Sequence, residues 1–581
     1  MTLIDVPSAD RPRPDYHNAV YRGGVRPATP EWRIPGFSLS DRDADYGGKS
    51  AIRRGFAMRE PAGRSTLSRC VSNLVAVLLI AATGCAPGQR VDLGDLSGNL
   101  IAAIAGEPDQ LDPHKTSAYF SFQVLENVFD TLVEPDEDLR MRPALAESWQ
   151  VSADQRVWTF RLRPGVTFHD GSPLTADDVV FSYRRIIDEH LTNVDRLSAV
   201  TEVTAVDPLT VRITVARPTP NLLTNLGGFK GMAIVQRANV ETGRIATHPV
   251  GTGPFEFRGA RSGDSITLVA NDDHWAGPPR LNGVTFRFIS EPATALSALQ
   301  AGEIDWTDAI PTQRVTQLRN DDSLTLAVTP SNDYWYLALN HARAPWHDLR
   351  VRRAIAFGID REAIVTATGY GTATANQLAI PPGDFWYTHY DRYRYDLDRA
   401  RALLDEARAA GVDPPRRLDM LVTGDYPQTV TAAQIIADNV APLGITVDIR
   451  TVDFATWLDE QNNGTFDMLM MGWLGNIDPD DYYYAQHHTD GASNAQRFSD
   501  PEVDRLLDAA RAEPDRDRRK ALYDRAATLI ADRVSYLFLY NPAVVQAWSP
   551  DLSGYRARRD AAVRFRDASL NRDGLNRDGP P

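Results

Sequence analysis

The sequence predicts an α/β protein of two or three domains, without the regular strand and helix alternation of a barrel. Length is the first ground: residues 85–581 can enclose several sizeable cores. The second is a mixture of periods. Trp158-Thr159-Phe160-Arg161-Leu162 alternates strictly, as a half-buried strand does, whereas Val124, Val128 and Leu132 recur every fourth residue, as on a helix face. The third is order: strand-like and helix-like stretches intermix irregularly as far as Phe565.

The chain opens on residues 1–57, rich in Pro, Arg, Asp and Gly and without a sustained apolar period. A different segment follows. Met58, Arg59, Arg64 and Arg69 precede an apolar run from Val71 to Ala82, which leads into Ala82-Thr83-Gly84-Cys85. A cationic start, about a dozen apolar residues and small residues before a cleavage point are the parts of an export signal. The run is too short to span a bilayer as a stable helix. A cysteine directly after the small residues marks a lipoprotein signal. Residues 58–84 are therefore expected to be removed and Cys85 acylated, leaving an extracytoplasmic body, in the periplasm or at the cell surface, tethered to the membrane by lipid. The alternative is a buried helix beginning a globular domain. Export signals act at the N-terminus, so translation is expected to begin at Met58, with residues 1–57 a mis-annotated extension; a genuine disordered extension is the alternative. Residues 85–97 then form a polar linker.

Charge and cysteines narrow the class. The whole chain carries −15; residues 1–57 and 58–84 contribute +2 each, which leaves −19 on the part from Cys85 onward. That sign argues against nucleic acid or an anionic lipid surface as a partner. The two cysteines are Cys70, inside the signal, and Cys85, so the processed chain would keep one and form no internal disulfide.

Along the body, Leu100-Ile101-Ala102-Ala103-Ile104 reads as a first strand, closed by the turn-rich stretch from Gly106 to Pro113. The four-residue spacing predicts a helix from Gln123 to Val133. After the strand Val157–Leu162, Asp170-Gly171 followed by Pro173 makes a tight turn that delivers the chain into a helix over Ala176–Ile187. Thr175 can cap that helix, with Asp177 and Asp178 near its positive end. Gly253-Pro254 reads as a turn entering a strand. Arg350, Arg352, Arg353, Asp360 and Arg361 punctuate an apolar helix and are expected to pair on its solvent face.

Ordered blocks of sequence carry a resemblance. Ala146-Glu147-Ser148-Trp149, the strand Val157–Leu162 and the run from Phe168 to Val179 resemble the signature of family 5 extracellular solute-binding proteins, the dipeptide, oligopeptide and nickel receptors of ABC importers. The likeness continues through Gly251-Thr252-Gly253-Pro254-Phe255, Ala301-Gly302-Glu303-Ile304-Asp305, Leu339-Asn340, the stretch from Leu349 to Arg361, Gly464-Thr465-Phe466-Asp467-Met468 and Trp473-Leu474-Gly475-Asn476. It spans roughly residues 98–565. The resemblance implies a periplasmic-binding-protein-like clamshell of two α/β lobes with a smaller inserted domain and a ligand cleft between the lobes. The first lobe would comprise residues 98–139, 246–330 and 536–581, the last including a polar tail. The inserted domain would be 140–245 and the second lobe 331–535. The implied partners are a short peptide or other small solute and an ABC permease; the receptor is expected to be a monomer, without cofactor.

Ligand chemistry is expected where the lobes meet, at crossovers near Ser331–Leu337 and Val534–Asn541. Tyr334, Trp335 and Tyr336 can stack on ligand side chains or pack the hinge, and Tyr119 and Trp473 join them as expected ligand contacts. In peptide receptors of this family a carboxylate three residues after the tryptophan pairs with the peptide's α-ammonium. Here that position is Asn476, which supplies no charge. Asp478 or Asp480 can replace it, or the ligand lacks a free amine; alternatively Asp478-Pro479-Asp480 is a turn exposed to water.

Enzyme motifs are missing. There is no Gly-x-Ser-x-Gly elbow, no His-Glu-x-x-His zinc helix, no phosphate-cradling glycine loop and no Cys-x-x-Cys pair. His487-His488 is the one adjacent histidine pair, and neighbours in an extended chain face opposite ways. A binding protein is expected, with no catalytic or metal-ligating residue. The alternatives are a receptor for an oligosaccharide, an opine-like compound or a nickel or haem chelate, and, from another class, a secreted hydrolase.

Overall fold

The computed structural model describes residues 99–228, 230–473 and 477–571. The expected signal, Cys85 and Asn476 lie outside the described residues. Among those described, no helix is long and apolar enough to cross a membrane.

The strand Leu100–Ile104 forms over the five residues expected for it. It pairs in parallel with Gly283–Phe288 and with Trp306–Thr307, and Gly283–Phe288 continues antiparallel to Ser265–Ala270 and then Phe255–Arg261. This is the sheet of the first lobe, with Leu100, Phe129, Phe286 and Phe565 in its core. The second lobe is built on Tyr334–Leu339, paired antiparallel with Met468–Trp473, beyond which Arg417–Thr423 and Thr446–Val452 run in parallel. All six residues of Tyr334–Leu339 are buried, as in a strand covered on both faces. A four-stranded antiparallel sheet of Ala146–Val151, Val157–Leu162, Thr210–Val215 and Val200–Asp207 packs on the helix Ala176–Asp188 around Phe160, Tyr183 and Ile213.

The two lobe sheets are joined by one strand, Tyr536–Trp548. Its first residues pair with Tyr334–Leu339 and its last with Thr325–Pro330 and Trp306–Thr307. The boundary placed at residue 536 thus meets the start of a strand whose opening residues serve the second lobe, and the passage between sheets comes at Asn541–Pro542. The other crossover is Ser331–Asp333, between the paired strands.

Local readings divide. Thr175 does start a helix: its backbone N–H donates to Asp178 Oδ2 at 3.0 Å, and the helix runs Ala176–Asp188. The helix expected from Gln123 to Val133 is instead Tyr119–Leu125, followed by turns and the strand Val133–Pro135. Asn127 explains the stop. Its amide donates to the Gln123 and Val563 carbonyls at 3.0 and 2.9 Å and accepts from Phe565 N–H at 3.0 Å, binding a distant segment where a further helical turn would stand. Val124, Val128 and Leu132 are buried all the same.

The arginines expected on a solvent face are corrected more sharply. Arg352 and Arg361 are buried. Arg352 donates to the Arg533 and Trp346 carbonyls, Arg353 to Asp532, and Arg361 to Phe538 and Tyr393. A guanidinium has five donors, enough to satisfy several orphan carbonyls at the end of the helix Arg516–Asp532 and on the shared strand. Burial lowers both Arg352 and Arg361 to about 10. Arg350 does pair locally, with the helix-capping Asp348, and Asp360 caps the helix Arg361–Gly369.

The Gly-Thr-Gly-Pro block is a close approach. A Cβ on Gly251 would stand far inside van der Waals contact with the Val128 carbonyl oxygen, and that oxygen accepts from Gly253 N–H at 2.9 Å. Gly251→Ala is expected to cost about 1–3 kcal/mol and lower the melting temperature measured by calorimetry.

Candidate functional site

Two neighbouring cavities lie where the first lobe, the inserted domain and the second lobe meet. One, of about 440 Å³, is lined by Arg140 and Leu223 of the inserted region, by Trp386 and Asp478 of the second lobe, and by Arg559 from the C-terminal segment. The other, of about 400 Å³, is lined by Tyr119, Gln123 and Glu126, by Gly227 of the inserted domain, by Asp333 of the crossover and by Asp560. A larger cavity of about 540 Å³ lies between Glu134, Arg142, Arg556 and Arg566, and its arginines are engaged in ion pairs, Arg142 with Asp136, Arg556 with Glu137 and Arg566 with Glu134.

The stretch from Asp478 onward folds as a capped helix rather than an exposed turn. Asp478 is the N-cap of Pro479–His487, accepting from Asp480 N–H at 3.0 Å, and proline at the first helical position suits its fixed φ. Both aspartates are buried. Asp478 receives a two-pronged bond from Arg519, at 2.8 and 2.5 Å, and that guanidinium lies 5.2 Å from the ring centres of both Trp386 and Tyr523. Asp480 meets Arg511 at 3.1 Å, Tyr523 Oη at 3.0 Å and, from the inserted domain, Asn221 at 3.4 Å. Burial pushes the Asp480 carboxyl up to about 6, against the pull of Arg511. Asp481 faces Arg196 of the inserted domain at 3.8 Å. The three acidic residues of this turn thus anchor the second lobe internally and touch the inserted domain. The internal cations meet the carboxylates expected to replace the charge missing at Asn476.

Among the aromatics, Tyr334 and Tyr336 pack the hinge side of the second lobe's core. Tyr334 stacks on Tyr482 and donates to Gln486, and Tyr336 stacks on Tyr536 with ring centres 4.0 Å apart. Trp335 stacks on Tyr540 and covers Gly472. None of the three lines either cavity. Trp473 is half-buried, opposite Tyr334 in register. Tyr119 alone of the expected aromatics borders a cavity, with its hydroxyl donating to Asp308 at 3.1 Å and to the Ala561 carbonyl at 3.2 Å.

The sequence reading passed over Gln123, Glu126, Asp333, Asp384, Phe385, Trp386, Arg559 and Asp560, which line the cavities. Asp333 had a signal, since it stands inside an expected crossover; the others come together only through tertiary contacts. His487 is buried, its Nδ1 is 2.8 Å from Ser535 Oγ, and burial takes it down to about 3. His488 instead stacks on Tyr484. Among the described residues no group of three or more His, Cys, Asp or Glu is arranged to hold a metal.

A family model described as bacterial extracellular solute-binding proteins, family 5, middle region, matches residues 140–494. The chain belongs to this family. It is a solute-binding transport receptor rather than an enzyme, which sets the hydrolase alternative aside. The glutathione-binding protein GsiB of Pectobacterium atrosepticum is 27% identical over 484 residues, covering 81% of this chain and 94% of that protein. The periplasmic murein peptide-binding protein MppA of Escherichia coli is 27% identical over 538 residues, covering 86% and 98%. Among solved structures, DppA from Helicobacter pylori, an ABC transporter-associated periplasmic binding protein in complex with the peptide STSA, superposes with a TM-score of 0.71 at 26% identity, covering 82% of this chain and 98% of that one. HbpA2 from Haemophilus parasuis gives a TM-score of 0.74 at 26% identity, covering 81% and 99%.

The Asp478–Arg519 pair makes a prediction independent of any ligand. Asp478→Ala leaves a guanidinium buried without its anion and is expected to destabilise the ligand-free protein by about 3–5 kcal/mol, read as a fall in the denaturation midpoint.

Proposed function

We propose that this family member captures a short peptide outside the cytoplasmic membrane and delivers it, as a monomeric lipoprotein anchored through Cys85, to an ABC permease. The observation that carries the reading is the composition of the two cavity walls, each drawn from segments distant in sequence and lying beside the crossovers at Ser331–Asp333 and Asn541–Pro542. A solute held there is enclosed by parts that can rotate apart about a few residues, so opening releases it without breaking a covalent bond. Polar contacts across the site include Arg559 to Asp384 at 3.7 Å, Arg196 to Asp481, Asn221 to Asp480 at 3.4 Å, and Tyr482 Oη to the Asn332 carbonyl at 2.6 Å. A peptide fits the walls because each cavity combines apolar surface with charged groups, and relatives 27% identical to this chain are named for glutathione, dipeptides and murein peptides.

Binding is tested by adding a set of di- and tripeptides to the mature protein. A peptide at 100 times its Kd is expected to stabilise the fold by about 2.7 kcal/mol and to change tryptophan emission, with Trp386 the reporter in the cavity wall. A set that leaves both melting and emission unchanged rejects peptide capture. Anchoring is tested separately: Cys85→Ser is expected to leave the membrane fraction or to accumulate unprocessed, and a variant that remains membrane-bound with an acylated N-terminus rejects the lipoprotein reading.

A further inference from the structure

Asp478 and Asp480 already hold Arg519 and Arg511, so a ligand's ammonium has a better place to go if other acceptors face the cleft. The cavity beside the helix Tyr119–Leu125 provides them. Three carboxylates, Glu126, Asp333 and Asp560, line it against one guanidinium, Arg564. Asp560 is bound by Arg558 at 3.1 and 3.2 Å, and Glu126 lies 3.6 Å from Arg564. Between them stands Gln123, 1% exposed. Its amide nitrogen donates to Asp308 at 2.7 Å, which fixes the orientation of the amide, because an ionised carboxylate only accepts. Gln123 lines the cavity, and its Oε1 is buried without a hydrogen-bond partner in the described structure. An acceptor left so is costly, and a donor carried in by a ligand removes the cost. Phe122, Ala562 and Val563 make the remaining wall apolar, so the donor arrives on a hydrocarbon frame.

The adjoining cavity is lined by four arginines against three aspartates, Asp138, Asp384 and Asp478. Arg559, the residue before Asp560, lines it together with Arg140, Arg516 and Arg519. Arg559 Nε and Nη2 are buried without hydrogen-bond partners, and the nearest carboxylate, Asp384, is 3.7 Å away. The helix Leu222–Gly227 borders both cavities, through Leu223 on the basic side and Gly227 on the acidic side. One step of the C-terminal segment and one short helix separate the two.

We propose that the ligand is a zwitterion lying across this step, its primary ammonium in the acidic cavity against Gln123 Oε1 and the carboxylates of Glu126 and Asp333, its carboxylate in the basic cavity against Arg559. The inference rests on the peptide reading and adds to it a direction of binding and a cation site on the first lobe, remote in sequence from Asn476. Charged hydrogen bonds are about twice as strong as neutral ones, so removing either charge is read easily in affinity.

The test is titration calorimetry with Ala-Ala-Ala and Ala-Phe, each free, N-acetylated and C-amidated. In the wild type, acetylation and amidation are each expected to weaken binding at least about tenfold, the equivalent of about 1.4 kcal/mol. In Asp333→Asn and Glu126→Gln the acetylation penalty is expected to shrink while the amidation penalty remains; in Arg559→Gln the reverse is expected. The retained penalty at the other end shows that each variant still folds and binds. Equal affinity for free and acetylated peptide overturns the inference, as does an acetylation penalty that survives Asp333→Asn and Glu126→Gln but collapses in Asp480→Asn. If neither free peptide binds, nor any of the wider di- and tripeptide set, the peptide reading itself falls and takes the inference with it.

Discussion

The architecture depends on one strand that belongs to two sheets. Tyr536–Trp548 pairs with the second lobe at one end and with the first lobe at the other, so neither sheet is complete without it. Backbone donors and acceptors on a buried strand must be paired, and here the pairing itself holds the lobes in register. At the change of sheets Asn541 takes over: its amide donates to the Asp333 and Ala379 carbonyls at 2.7 and 2.8 Å, while its own carbonyl side chain receives Asn376. The two crossovers are thus tied to each other by a side chain, which confines any rotation of the lobes to a narrow belt of residues beside both cavities.

Buried arginines are the second device. Arg352, Arg353 and Arg361 draw together helix ends and the shared strand by donating to carbonyls, and Arg185, on the helix Ala176–Asp188, does so with a buried carboxylate of the first lobe, Asp112, at 2.6 Å. A planar guanidinium with five donors can close several backbone acceptors at once, which an ammonium cannot do with the same geometry. Arginine in this acidic chain therefore does structural work, and the same residue type reappears at the cavities, where Arg519 is bound to Asp478 and Arg559 is not bound to anything so closely.

The helix start from Asp478 to Asp481 shows how position and role can part. It stands where a ligand contact was expected, and its carboxylates are indeed buried, yet each faces an internal cation or the inserted domain. Such an arrangement couples the second lobe to the inserted domain through Asn221 and Arg196, so this turn bears on how the lobes come together as much as on what they enclose.

Much of the fold was legible in the amino-acid sequence. The first strand, the strand Val157–Leu162 and the capped helix after Thr175 rest on period, turn chemistry and capping, all interactions within a few residues, and the ordered blocks placed the chain in its family. Readings failed where a distant partner intervened. Asn127 ends a helix by binding Phe565, and Arg352 and Arg361 lie buried because carbonyls far along the chain await their donors. The candidate site was the least legible part: Asp333 stands in an expected crossover, but Gln123 and Arg559 lie far from it in sequence and carry no local pattern. Local periodicity determined the elements; only long-range pairing along Tyr536–Trp548 and across the lobes decided which charged side chains would face a cavity and which would face one another.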